Sequence, residues 1–188
     1  METNEKEVYQ KKMEAQLNEL NAKINELKAT GEKVVEKVRA ELNEKIEALG
    51  PKQETAQKKL KELKKASGEA WEDLKAGMEK AWEELKGAWD LMMLKYKQDY
   101  QKMVEAKLAE FGIHIDELRA KSEKIGMEVK DELNKRVDDL LKKKEVAEKY
   151  LEELKSVGTE VWEDIKPKID AAVEALEKAY QQARSRFK

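Results

Sequence analysis

The chain has 188 residues, among them 39 Lys or Arg, 41 Asp or Glu, one His, two Pro and no Cys, for a formal charge of −2. A charged share of 43% against 40% hydrophobic far exceeds that of an ordinary domain and demands a large surface, which favours long amphipathic helices over a sphere. With no thiol and one imidazole, disulfides, Cys–His catalysis, iron–sulfur clusters and Cys- or multi-His zinc sites are excluded, and interspersed charges of both signs offer nucleic acid no attracting field.

Residues 1–6 read as an N-terminal extension. METNEKEVYQKK lacks the apolar core of a signal peptide, and no window of about 18 apolar residues occurs, so the expectation is a cytoplasmic chain without a transmembrane segment. Met13, Leu17, Leu20, Ile24, Leu27, Val34, Val38, Leu42, Ile46 and Leu49 then follow at spacings of three, four and seven. This narrow stripe in a charged background predicts a coiled-coil seam. Gly50-Pro51 is the strongest break signal, and Ser67-Gly68 is the second. Residues 51–66 carry a net charge of +4 and 69–90 one of −4, the signs that favour a helix end followed by a helix start.

From Ser67 to Met93 the pattern changes. Trp71, Leu74, Met78, Trp82, Leu85, Trp89 and Met93 advance by threes and fours with Ala81 and Ala88 between them, giving an apolar face wider than a two-stranded coil buries. A neighbouring helix or a second chain must cover it, or else it serves as an amphipathic surface for lipid or another hydrophobic partner. Downstream, Val104, Leu108, Phe111, Ile115, Leu118, Ile125, Val129, Leu133, Val137 and Leu140 repeat the narrow stripe. Gly158-Thr159 repeats the second break. Trp162, Ile165, Ile169, Val173, Leu176 and Tyr180 repeat the wide face, and Pro167 should kink that helix or mark a late start.

These recurrences share one offset. Tyr9-Gln-Lys returns at Tyr100, Glu69-Ala-Trp-Glu-Asp-Leu-Lys returns at Glu160, and gap-free pairing of 7–97 with 98–188 leaves about 36 of 91 pairs identical. The reading is a tandem duplication with repeat unit 1 at 7–97 and repeat unit 2 at 98–188. The expected fold is all-α, an elongated antiparallel coiled coil or helical bundle. Two layouts compete: turns near 67 and 158 with one helix of about 89 residues between them, preferred, or turns near 50, 97 and 141 giving four helices.

Segments 58–97 and 149–188, with Ser67-Gly-Glu-Ala-Trp-Glu-Asp-Leu-Lys75 and the ending Ser185-Arg-Phe-Lys188, resemble the C-terminal half of a family of small bacterial coiled-coil proteins about one unit long, some associated with stress responses. The same segments are similar to apolipoprotein-type amphipathic helices. Unit 1 departs from the family by carrying Leu94-Lys-Tyr-Lys97 where unit 2 has Ser-Arg-Phe-Lys. Neither resemblance implies an active site.

The residues themselves supply none. His114 answers to Lys23 in the first unit and so reads as a surface position, and Phe111 stands where a Glu-x-x-His di-metal site needs Glu. Carboxylate pairs such as Glu79/Glu83 and Glu160/Glu163 are interleaved with Lys, and Thr30-Gly-Glu-Lys33 lacks P-loop spacing. The expectation is a non-enzymatic structural or protein-interaction protein with no cofactor or metal. Its partner is a protein, itself included, and the alternative is a peripheral lipid binder acting through the tryptophan faces.

Overall fold

The computed structural model describes residues 2–30, 36–68 and 70–187; Val34 and the side chain of Val38 lie outside what is described. Five helices follow in order: α1 (Glu2–Thr30), α2 (Glu36–Lys64), α3 (Ala70–Ser122), α4 (Met127–Ser156) and α5 (Trp162–Arg186). No strand occurs among the described residues. The protein is all-α.

The chain divides into two compact units, Met1–Tyr96 and Lys97–Lys188. In the first, α1 and α2 run antiparallel, because Gln10 pairs with the Leu63 carbonyl, Glu14 with Lys64 and Asn21 with Gln53. Met13, Leu17, Leu20, Ile24 and Leu27 of α1 are buried, as are Leu42, Ile46, Leu49, Leu60 and Leu63 of α2. Each such side chain removed from water contributes about 1.5–3 kcal/mol. The half-buried Gln53 Nε2 donates to Asn21 Oδ1 at 2.6 Å, a polar pair that specifies the register of these two helices. The stretch of α3 from Ala70 to Tyr96 completes the unit.

In the second unit, the stretch of α3 from Lys97 to Ser122 runs antiparallel to α4, with Glu105 meeting Lys155 and the Lys144 stem lying over Gly112. The same stretch runs parallel to α5, since Tyr100 meets Asp170, Lys107 meets Glu177 and Phe111 meets Tyr180. α4 and α5 are antiparallel, through Glu132 with Arg186 and Tyr150 with Lys168.

Breaks fall where small and polar residues relax the helix. After α2, Gly68 has φ of 64°, a left-handed backbone that an L side chain resists. The Trp71 amide returns to its carbonyl at 3.3 Å to start α3. A second break near Gly158 separates α4 from α5, with Val161 at the N-cap.

Both layouts drawn from sequence need correction. The long middle helix does not run to 157: α3 stops at Ser122 and α4 starts after Gly126. Ser122 Oγ donates to the Arg119 carbonyl at 2.7 Å, competing with the helical ladder. The Lys130 amide reaches the Gly126 carbonyl at 3.0 Å, which opens the next helix. Val129, expected in the seam, is consequently exposed. The four-helix layout fails at all three of its turns, because α2 runs through 50, α3 through 97 and α4 through 141. Pro51 sits inside α2, although an interior proline costs about 3 kcal/mol. Leu42, Ile46, Leu49, Ala56, Leu60 and Leu63 keep one buried face through it, and burial on that scale outweighs one lost backbone bond. Pro167 likewise lies within α5.

Candidate functional site

The wide tryptophan faces are the unusual chemistry of the sequence, and the structure buries most of both, with Tyr9 against Trp71 and Tyr100 against Trp162. In α3, Trp71, Met78, Leu85, Trp89 and Met93 are buried, and Leu74 and Trp82 are half-buried. In α5, Trp162, Ile165, Ile169, Val173 and Leu176 are buried, and Tyr180 is half-buried. None of these positions is exposed. Most extreme are Met78 and Leu85 at 0% and Trp162 at 1% relative exposure.

At the head of each face stands a tyrosine from the unit's first helical stretch. The Tyr9 ring meets Trp71 edge-on, centroids 6.1 Å apart, with Lys75 Nζ 5.3 Å from the tyrosine centroid and Glu79 accepting from the hydroxyl at 3.3 Å. The second cluster is built alike. Tyr100 meets Trp162 edge-on at 5.8 Å, Lys166 Nζ lies 5.0 Å from the Tyr100 centroid, and Asp170 accepts from its hydroxyl at 2.7 Å. The four positions are each 91 residues apart between units. Trp, Lys and the acid sit at i, i+4 and i+8, so one helix face presents all three to the tyrosine. The sequence marked Tyr9 and Tyr100 as recurring residues but not as part of the apolar face; their spacing from the Trp gave no sign of the contact, which arises between helices.

The clusters differ in openness. Tyr100 is fully buried whereas Tyr9 is half-buried. Burial, and then the Glu79 carboxylate beside it, push the Tyr9 hydroxyl up to about 12. A second cation, Lys6, stands 5.3 Å from the Trp71 ring centroid. Its counterpart, Lys97, is buried and donates instead to the Val157 carbonyl at the end of α4.

Comparisons of the chain with protein-family models, curated proteins and solved structures find no match. The geometry therefore carries the reading.

His114 departs from the surface position that Lys23 implied. It is half-buried, stacked on Tyr180 with centroids 4.6 Å apart, and Glu110 and Glu117 each approach one ring nitrogen at 3.5 Å. Its stacking partner Tyr180 answers to Trp89 in unit 1. The two carboxylates lie at opposite ring nitrogens and do not converge on one point. Among the described residues no group of three or more His, Asp or Glu could hold a metal ion, and no helix is long and apolar enough to cross a membrane. A cleft in the first unit, lined among the described residues by Lys28, Arg39, Asn43, Ile46 and Glu47, mixes both charges.

Proposed function

We propose that this chain is a non-enzymatic structural or protein-interaction protein, built as two tandem copies of an antiparallel helical repeat and working as a scaffold, spacer or self-assembling component. The observation that carries the proposal is the burial of both tryptophan faces. A peripheral lipid binder of this design presents its Trp and Met side chains to the bilayer, whereas here Trp71, Met78, Trp89, Met93 and Trp162 are buried and Trp82 is half-buried. The recurrence of the Tyr, Trp, Lys and acid cluster at a 91-residue offset supports the duplication. It also fits the resemblance to a small bacterial coiled-coil family of one unit's length.

Tryptophan emission tests the reading. Emission from the isolated protein is expected to be blue-shifted already, and unchanged on adding vesicles of anionic phospholipid. A large vesicle-induced shift with co-sedimentation would replace this reading with the lipid-binding one.

A further inference from the structure

The buried faces leave α3 with an outer side whose pattern the packing of the units does not explain. Leu91 is 71% and Leu94 46% exposed. The residues 91 positions further on are Gln182 and Ser185, so a helix with the same buried face manages without leucine there. Gly87 adds to the puzzle. Gly77 and Gly112, the other glycines of α3, are each roofed by a lysine stem at 3.7 Å, but nothing lies within 4 Å of where a Cβ at Gly87 would stand. An interior helical glycine loses conformational entropy, and no contact among the described residues accounts for this one.

Lys80, Gly87, Leu91, Leu94, Gln98 and Glu105 follow one another by seven, four, three, four and seven residues. They form one stripe on one helix, and every one of them is exposed. The sequence of steps reads the same in both directions, with its midpoint between Met92 and Met93. So does the charge, with sign reversed. Residues equidistant from that midpoint pair Asp90 with Lys95, Lys86 with Asp99, Glu83 with Lys102, Lys80 with Glu105, and Lys75 with Glu110. Every charged residue from 74 to 111 whose equidistant partner is charged meets the opposite sign.

We propose that α3 is a self-association surface on which two copies of the chain pair antiparallel about a two-fold axis passing between Met92 and Met93. Such an isologous contact brings residues on and beside the stripe against their equidistant partners on the other copy, Lys80 on Glu105, Glu83 on Lys102 and Asp90 on Lys95, whereas Lys75 faces Tyr9 of its own unit and takes no part. Leu91 of one copy then packs on Leu94 of the second, Gly87 leaves room for the Gln98 side chain, and Glu83 meets Lys102 twice. Lys80 meets Glu105, which already holds Lys155 at 2.9 Å and has two oxygens with which to accept both. A parallel pairing would instead set each charge against its own like. The proposal rests on the reading of the chain as a protein-interaction component and names its partner as a second copy.

Mass in solution, by sedimentation equilibrium on the full chain, tests it. The expected result is a dimer that weakens with salt. Glu83→Lys and Lys102→Glu are each expected to weaken dimerisation about tenfold or more, because like charges then face each other twice. Mixing the two variants, or combining both changes in one chain, restores it. Since the chain has no Cys, Gly87→Cys and Gln98→Cys variants report orientation: a disulfide is expected in the mixture and not in either variant alone, where the two sulfurs would be set about 16 Å apart along the axis. Circular dichroism separates loss of pairing from loss of folding, which changes at exposed sites should leave intact. A monomeric wild-type chain, a dimer indifferent to Leu91→Glu with Leu94→Glu, or disulfides within the single variants would each overturn the proposal. A monomer that also ignores vesicles would leave the interaction reading standing without this interface; a monomer that binds them would sink both.

Discussion

Tyr100 donates its hydroxyl to Asp170 at 2.7 Å from a fully buried position, and Lys166 reaches the other oxygen of the same carboxylate at 2.7 Å. Asp170 itself is exposed, so the cluster couples an interior hydroxyl to a surface ion pair. The equivalent bond in unit 1, from Tyr9 to Glu79, is 3.3 Å long and lies at the surface.

Removing the two hydroxyls should therefore have unequal effects. Tyr100→Phe is expected to cost about 1.5–2 kcal/mol, the low end of the range for a hydrogen bond to a charged acceptor because Asp170 is exposed, and Tyr9→Phe less than about 0.5 kcal/mol. Urea denaturation of the two variants provides the comparison. Equal losses would mean that the difference in burial does not matter.

Alkaline titration separates the contribution of Tyr9. Its folded-state value of about 12 lies above the ordinary 10 of an unfolded tyrosine. Lys155 is also raised to about 12, by hydrogen bonds to Glu152 and Glu105. Between pH 10 and 12 the unfolded chain has released protons that the folded chain still holds, so stability is fully present below about pH 10 and falls as pH rises through that window. Tyr9→Phe should make the decline shallower. The difference in phenolate absorbance between wild type and variant should have its midpoint near 12; a midpoint near 10 would show that Tyr9 is not held by this contact.

Trp162 and Trp82 test how the wide faces are buried. Trp162 at 1% exposure leaves a large cavity when truncated, and Trp162→Ala should cost about 3–5 kcal/mol. Trp82 is half-buried, and Trp82→Ala should cost roughly half as much. Thermal unfolding read by near-ultraviolet circular dichroism distinguishes them. Equal costs would place Trp82 deeper than its surroundings suggest.

The apolar spacing made most of the core readable in advance. Leu17, Ile24, Leu27 and their counterparts Leu108, Ile115 and Leu118 are buried as their positions on one helical stripe imply. The break at Ser67-Gly68 was also legible, since a glycine beside a charge reversal leaves few alternatives. Turns elsewhere misled because punctuation residues act locally while burial is cumulative. Gly50-Pro51 carries a strong stop signal and is overridden by a seam that continues on both sides. Leu118, Ile125 and Val129 look like an unbroken seam, yet Ser122 and Gly126 end one helix and open the next within it. The spacing of seven from Leu118 to Ile125 hid the break. Contacts between helices, such as Tyr100 with Asp170, depend on which stretches become neighbours, and no single-helix pattern encodes that.

Lys97 offers a test of how α4 is closed. It is only 6% exposed, and its ammonium donates to the carbonyl of Val157, the C-cap residue of α4. The last carbonyls of a helix lack intrahelical donors and carry the negative end of its dipole, so a cation there satisfies both needs. Burying the ammonium opposes this gain, which limits the net contribution. Lys97→Met keeps the length of the stem and removes the charge. It should cost about 1 kcal/mol, with faster amide exchange in the last turn of α4 and none of this change in α5. Lys97→Glu sets a carboxylate against the same carbonyls and should cost about 3 kcal/mol or more. If Lys97→Met leaves exchange near Val157 unchanged, the lysine contributes through its stem alone, and the helix end is held by the packing of Leu151 and Leu154.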